Sequence, residues 1–443
     1  MSFTRRHLQN VCRRALESGK VLVLLGARQT GKSTLVREML ADVPDRQKLV
    51  LLLDDPFLRD RLTQVEGELI RAIEAQAQLP WSELEDFYVV LDEVQKAPAL
   101  FEMVKLLYDT GGGRVRWILT GSSALAIHDP VAETLAGRAR MHLLHPFTLS
   151  EGFAHVEGEK TRLEELAEPM SRLLRGAMTS DDFDGLVERA RWKSRERQQF
   201  LDRQLRWPLF PEPSAEDQPE LWLRDYLGTY LEKDVQSLAT VGNVALFRAC
   251  MAQIAARVGS IFKWETAAQE IGTTSVTLRK YVGLMEQTFN LLRLGPFGAN
   301  PVKRVIKSPK LFFFDNGLLW ALRGYEDERL LRRSGMFGVY AEQLALVEIA
   351  KWCALEPTAP KLSFWSKTAV SEVDLIVSNR GYHIPFEIKL GRNFEKRWLR
   401  GLDAFEKDHR ALDLEIPYRI VLHRGEPARP DERTFVLPIW ALT

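Results

Sequence analysis

The run Gly26-Ala27-Arg28-Gln29-Thr30-Gly31-Lys32-Ser33 fits G-x-x-x-x-G-K-[ST], a spacing suited to nucleotide phosphates. Gly26 and Gly31 allow backbone turns that point successive N–H groups inward as an anion nest. Lys32 supplies the side-chain cation for the outer phosphates, and the Ser33 hydroxyl is the expected Mg²⁺ ligand. Ala27, Arg28, Gln29, Thr30 and Thr34 complete the candidate ATP-binding segment. A second stretch, Phe87-Tyr88-Val89-Val90-Leu91-Asp92-Glu93, is an apolar run ending in two carboxylates. Asp92 is expected to hold Mg²⁺ through its water shell, and Glu93 to orient or deprotonate the attacking water. An apolar run closed by Asp-Glu often only marks a strand meeting solvent. About 60 residues after a phosphate loop it reads as a Walker B strand.

Both motifs need a rigid frame. Val21-Leu22-Val23-Leu24-Leu25 predicts a buried strand before the loop, and Thr34 to Leu40 carries apolar residues at helical spacing. Further strand-like runs fall at 48–53, 87–91, 115–119 and 141–144, with helical stretches between them. That alternation predicts an α/β fold, a parallel sheet with helices on both faces and its ligand at the strands' C-terminal edge. A helix over 6–18 precedes it, with Leu8, Val11, Cys12, Ala15 and Leu16 on one face. After the fourth strand, Thr120-Gly121-Ser122-Ser123 offers Ser122 and Ser123 to position the lytic water, or simply makes a turn. Arg138, before the fifth strand, is either a solvated arginine or a finger for a neighbouring subunit's γ-phosphate.

Composition narrows the class. At 443 residues the chain suggests several domains, and 45% apolar with 27% charged content is that of a soluble globular protein. The 61 basic and 60 acidic residues nearly cancel, so any basic surface must be local. Cys12, Cys250 and Cys353 are far apart and odd in number, which suits reduced thiols in a cytoplasm better than disulfides or zinc. The eight histidines give no metal spacing. No apolar run approaches membrane-spanning length, and Arg5-Arg6 leads into no signal core. A cytoplasmic protein with no membrane partner is expected.

The predicted domains are an ATPase core over 1–155, a helical extension and connector over 156–225, a winged helix over 226–330 and an α/β domain over 331–443. The connector breaks at Trp207-Pro208-Leu209-Phe210-Pro211-Glu212-Pro213. Thr266 to Gly272, then Thr273 to Met285, reads as helix, Gly turn, helix, with Thr274 or Ser275 capping the second. The second helix's predicted apolar face is Val276, Leu278, Val282, Leu284 and Met285, with Arg279 and Lys280 pointing elsewhere. Two strands follow, and between them lie Lys303, Arg304, Lys307 and Lys310. Arg279, Lys280 and these four cations are candidate DNA contacts. The alternative is a winged helix that only packs against other domains.

The last region opens with a long amphipathic helix predicted from Gly338 to Ala354, carrying Glu342. If Arg380-Gly381 is a two-residue hairpin loop, Asp374 lies opposite Glu387. Lys389, two residues further on, shares a face with Glu387. Glu342, Asp374, Glu387 and Lys389 thus form a candidate metal-dependent nuclease site that resembles the D-x(n)-[DE]-x-K signature of the restriction-endonuclease-like fold. Val373 stands where that superfamily has proline, and a solvated hairpin face is the bland alternative.

The chain as a whole resembles bacterial and archaeal AAA+-type P-loop ATPases with a C-terminal domain of unknown function 4143. Gly26 to Thr34, Leu91-Asp92-Glu93-Val94-Gln95, Leu119 to Ser123 and Leu135-Ala136-Gly137-Arg138 carry the likeness. So do Pro146 to Glu151, Tyr230 to Val235, Phe314 to Leu318 and the closing Glu-Val-Asp and Glu-Ile-Lys. Arg206-Trp207-Pro208-Leu209-Phe210 departs from a Gly-Gly-Tyr-Pro-like turn common in that family. The resemblance implies ATP and Mg as cofactors, and favours Arg138 as a finger acting within a homo-oligomer. The reading is a DNA-associated ATPase in genome maintenance or defence against foreign DNA. The alternative is a nucleotide-driven switch whose C-terminal domains bind a protein partner and do not touch DNA.

Overall fold

The computed structural model describes residues 3–65, 67–122, 133–158, 163–230, 243–298, 308–325, 327–368, 371–410 and 414–443. The chain divides into two units, residues 1–145 with 287–289, and 146–286 with 290–443.

In the first unit, β1 (Val21–Leu25), β2 (Lys48–Leu52), β3 (Phe87–Asp92), β4 (Val115–Gly121) and β5 (Ala139–Leu143) form one sheet in the order β2-β3-β4-β1-β5. Every pairing is parallel. All five β1 residues are buried, because a parallel strand covered on both faces has no solvent side. Helix α1 (Leu8–Glu17) precedes β1, and α2 (Lys32–Met39) follows the phosphate loop. One core cluster joins Val21, Val23, Leu51, Val89, Trp117 and Leu119 to Leu100 and Val104 of the helix Ala99–Gly111. Leu24 pairs with Thr120, Leu25 with Gly121, and Leu52 with Asp92. The ends of β1, β3 and β4 therefore share one edge of the sheet.

The second unit begins with helices Leu149–Glu157, Glu164–Leu174, Ser180–Arg191 and Ser194–Gln204. Capping boxes at Thr148/Glu151 and Thr179/Asp182 start the first and third. An eight-stranded sheet closes the unit in the order β12-β13-β11-β10-β9-β8-β6-β7. Its strands are β6 (Leu291–Pro296), β7 (Lys310–Phe313), β8 (Lys361–Thr368), β9 (Ser371–Asn379), β10 (Tyr382–Ile388), β11 (Arg419–His423), β12 (Ala428–Asp431) and β13 (Thr434–Pro438). β6 pairs antiparallel with β7 and parallel with β8, so regions 226–330 and 331–443 share one sheet. Tyr382 lies opposite Asn379 across the Arg380-Gly381 loop, whose φ values of 49 and 95 suit a type I′ turn.

Two sequence expectations are corrected here. The helix Met336–Leu355 is not amphipathic: every residue from Gln343 to Cys353 is buried. It packs against β7 and β10 and against the helices Glu164–Leu174 and Asn316–Leu322, leaving no solvent face. Glu348 in its middle accepts the Leu149 N–H at 2.9 Å and the Trp352 indole N–H at 2.8 Å. Lys351 donates to the Phe147 carbonyl at 2.7 Å. Val276 is 75% exposed rather than part of the apolar face of the helix Ser275–Gln287. It precedes the buried Leu278 by two positions, a spacing that puts helical side chains on different faces.

Candidate nucleotide site

The phosphate loop joins β1 to α2 through backbone that glycine makes available. Gly26 has φ 156, and a Cβ there would lie 2.2 Å from the Leu144 carbonyl oxygen. Gly31 has φ 91 and caps α2. Gln29 is also left-handed, at φ 55. The Thr30 hydroxyl donates to the Ala27 carbonyl at 2.8 Å and fixes the loop's shape. Lys32 is 5% exposed, and its ammonium donates to the carbonyls of Gly26 at 2.9 Å and Ala27 at 3.0 Å. The lysine therefore folds over the loop. Arg28 and Thr34 are half-buried beside it.

The carboxylates arrive from β3. Ser33 donates to Asp92 Oδ2 at 2.8 Å, although 59 positions separate the two. Thr120 donates to the other Asp92 oxygen and accepts the Glu93 N–H at 3.2 Å. Glu93 has φ 59, a left-handed conformation uncommon for a non-glycine residue. Its Oε2 accepts from the Ser122 hydroxyl at 2.9 Å and from the Gln95 amide. Gln95 and Ser122 are themselves 3.1 Å apart. One network thus runs from α2 through β3 to the end of β4. Ser33 and Asp92 together suit a hydrated Mg²⁺ beside nucleotide phosphates, since both offer the hard oxygens that ion prefers. A pocket of about 220 Å³ opens from Ser33, Asp92 and Thr120, and its remaining lining combines Val36, Leu40, Val50, Leu52 and Val90 with the cations Arg37 and Lys48.

Sequence reasoning missed Thr120 and Gln95 as network members, and Arg6 altogether. Thr120 lies in the segment already singled out, and Gln95 two residues past Glu93. Arg6 is 6% exposed and donates to the Thr30 carbonyl at 2.8 Å and the His145 carbonyl at 2.7 Å. It braces the loop from outside, and nothing local in the sequence signals that role. Ser123 lies outside the described residues.

Arg138 sits at the opposite edge of the sheet, its carbonyl accepting the Val21 N–H at 2.9 Å. The length of β1, roughly 17 Å, separates it from its own phosphate loop. Its guanidinium grips Asp109 through bonds of 2.6 and 2.9 Å, which raises its pKa and lowers that of Asp109.

The candidate DNA contacts divide. Arg279 and Lys280 are exposed on the helix Ser275–Gln287, whose first turn is capped by Thr274 accepting the Thr277 N–H at 3.2 Å. Arg279 also lies 4.3 Å from the Trp264 ring and 3.8 Å from Glu265. Lys303, Arg304 and Lys307 lie outside the described residues. Lys310 is a correction: it is 4% exposed and paired with Glu342 at 3.5 Å and with Glu372. A lysine so buried cannot reach a phosphate.

The C-terminal candidates do come together. The β9–β10 register sets Leu375 against Phe386, and hence Asp374 beside Glu387. Lys389 pairs with Glu387 and lies 3.7 Å from Asp374, while the Ile388 N–H donates to Asp374 at 2.7 Å. Glu342 reaches the cluster from the helix Met336–Leu355. Burial first, then the neighbouring Asp374 charge, raises Glu342 to about 7 and Glu387 to about 8. Among the described residues, no group of three or more His, Cys, Asp or Glu side chains is arranged to hold a metal ion. Lys310 and Lys389 pair with these carboxylates.

Three family descriptions match the chain in succession. Residues 18–153 match an AAA domain, 201–329 a domain of unknown function (DUF8612), and 337–442 another (DUF4143). The chain therefore carries an AAA-type P-loop ATPase-like domain at its N terminus and a DUF4143 domain at its C terminus. It is 27% identical over 390 residues to the uncharacterized protein Rv2008c of Mycobacterium tuberculosis, covering 88% of this chain and 74% of that one. Mb2031c of Mycobacterium bovis matches with the same figures. The Walker-type ATPase PABY2304 of Pyrococcus abyssi aligns at 16% identity and a TM-score of 0.40, over 72% of this chain and 96% of its own. AMPPCP-bound DnaA from Aquifex aeolicus aligns at 14% identity and 0.26, over 62% and 86%. These scores are low, and the P-loop fold assignment rests instead on the parallel order β2-β3-β4-β1-β5 with the loop after β1. Among the described residues, no helix is long and apolar enough to cross a membrane.

Proposed function

We propose that the protein is a Mg-dependent ATPase whose turnover is coupled to association with DNA, in genome maintenance or defence against foreign DNA. The observation that carries the ATPase part is the 2.8 Å bond from Ser33 to Asp92, which joins the phosphate loop to the β3 carboxylates. In this reading the backbone from Gly26 to Lys32 cradles the phosphates and Lys32 turns to the outer ones. Ser33 and Asp92 would hold Mg²⁺, which would supply positive charge beside the phosphate oxygens. Glu93, held by Ser122 and Gln95, takes or orients the proton of the attacking water. Arg138 is too far from its own site and serves, if anywhere, a neighbouring copy.

The DNA part is supported by the helix pair Trp264–Glu270 and Ser275–Gln287 with its exposed Arg279 and Lys280, read as a winged helix with β6 and β7. Metal-dependent cleavage at the C-terminal cluster is left out of this reading, because its carboxylates are engaged by lysines. A second reading, a nucleotide switch that binds a protein partner, is favoured by the burial of Lys310, which is engaged by Glu342 and Glu372. Equilibrium binding of duplex DNA across a salt series separates them. Lys280→Ala should weaken binding and reduce the log–log salt slope by about 0.9 per lost phosphate contact. No measurable affinity of the wild type, with or without ATP, favours the protein partner.

A further inference from the structure

The cluster around Asp374 holds one buried ammonium group, that of Lys310, and one partly exposed, that of Lys389, among four carboxylates. Lys310 stands at the first position of β7, where its backbone faces Leu294 of β6. Its side chain pairs with Glu372 of β9 and, at 3.5 Å, with Glu342 of the helix Met336–Leu355. Lys389, just past β10, takes Glu387 and approaches Asp374 at 3.7 Å. The Lys310 side chain is 5% exposed, so its charge is satisfied by these partners and not by water.

The restriction-endonuclease-like signature implies a divalent cation here, and the residues present do not fit one. A metal needs several carboxylate oxygens converging on one point. Here an Asp374 oxygen takes the Ile388 N–H, and Glu342 and Glu372 converge on an ammonium instead.

We propose that this cluster is an ion lock and not a metal centre: the Lys310 ammonium takes the cation's place between Glu342 and Glu372. It ties β7 to β9 and to the helix Met336–Leu355, and it excludes divalent ions from a site that the same carboxylates would otherwise form. Lys310 comes from the region before residue 330 and its partners from the region after it. The lock therefore links the two regions that share this sheet. This inference does not depend on DNA binding.

The test is Mn²⁺ binding by the full chain without nucleotide, followed by electron paramagnetic resonance and calorimetry. A Lys32→Ala background removes binding at the phosphate loop. With the cluster intact, no Mn²⁺ binding that Asp374→Ala abolishes is expected. Lys310→Met should gain a Mn²⁺ site, lost again when Asp374→Ala is added, and should lower the melting temperature. Lys310→Gln also removes the ammonium and keeps all four carboxylates. It should likewise gain the site and carries the test if Lys310→Met does not fold. Mn²⁺ bound to the intact cluster and lost with Asp374→Ala would overturn the proposal. So would folded Lys310 variants that bind no Mn²⁺.

Discussion

Ser33 and Asp92 meet at 2.8 Å, hydroxyl to carboxylate, across 59 residues of sequence. The contact exists because β1 and β3 flank β4 in one parallel sheet and end at the same edge. Asp92 is further held by Thr120 from β4, so each of the three strand ends contributes to the site. The division of labour at that site is testable residue by residue.

Lys32→Ala should abolish ATP binding or nearly so, because it removes the cation assigned to the outer phosphates. Glu93→Gln should retain affinity and lose turnover, since Ser33, Asp92 and Lys32 remain. Calorimetry with ATP and a phosphate-release assay read the two quantities separately. Equal loss of affinity in both variants would contradict the assignment.

Ser122→Ala should lower kcat on the order of tenfold with little change in KM, because the Ser122 hydroxyl is committed to Glu93 and orients it. Gln95→Ala should act in the same direction, and the double variant should lose less than the product of the two. A rise in KM at constant kcat would instead assign Ser122 to substrate binding.

Much of this was legible in the sequence. The phosphate loop and the Asp92-Glu93 pair were readable because backbone geometry dictates their spacing. Arg380-Gly381 was readable as a hairpin loop because few dipeptides adopt two left-handed conformations. Arg6 was not readable, since its partners Thr30 and His145 meet it only in the folded chain. Lys310 reads as a surface cation because it follows Lys303, Arg304 and Lys307, and only the folded chain brings Glu372 and Glu342 beside it. The stretch from Gly338 to Ala354 reads as an amphipathic helix, yet its Glu348 and Lys351 are buried. Both satisfy backbone groups of the segment Phe147–Leu149.

Arg138→Ala should lower turnover by about 10³-fold with ATP affinity unchanged if the arginine serves a neighbouring copy. Specific activity should then rise with protein concentration, and Asp109→Ala, which frees the guanidinium, should not reduce it. Activity independent of concentration down to the monomer would reduce the pair to a solvent-screened surface ion pair.

Burial raises Glu348 to about 7, more than its two hydrogen-bond donors and Lys351 lower it. A carboxyl raised on folding contributes stability below pH ~4.5, and that contribution fades as pH rises through 7. The stability gap between the wild type and Glu348→Gln should therefore narrow from pH 4.5 to 7, by an amount of order 3 kcal/mol at most. Chemical denaturation at several pH values measures it. A gap that widens with pH would mean the carboxylate is the favoured buried form.

The central claim joins nucleotide turnover to DNA, and one assay addresses it. Steady-state ATP hydrolysis with Mg²⁺ is measured with and without duplex DNA, for the wild type, Glu93→Gln and Lys280→Glu. The account predicts that DNA raises the wild-type rate, that Glu93→Gln stays inactive, and that Lys280→Glu keeps its basal rate while losing stimulation. A wild-type rate that ignores DNA at every salt concentration would contradict the coupling, and no hydrolysis under any condition would contradict the site itself.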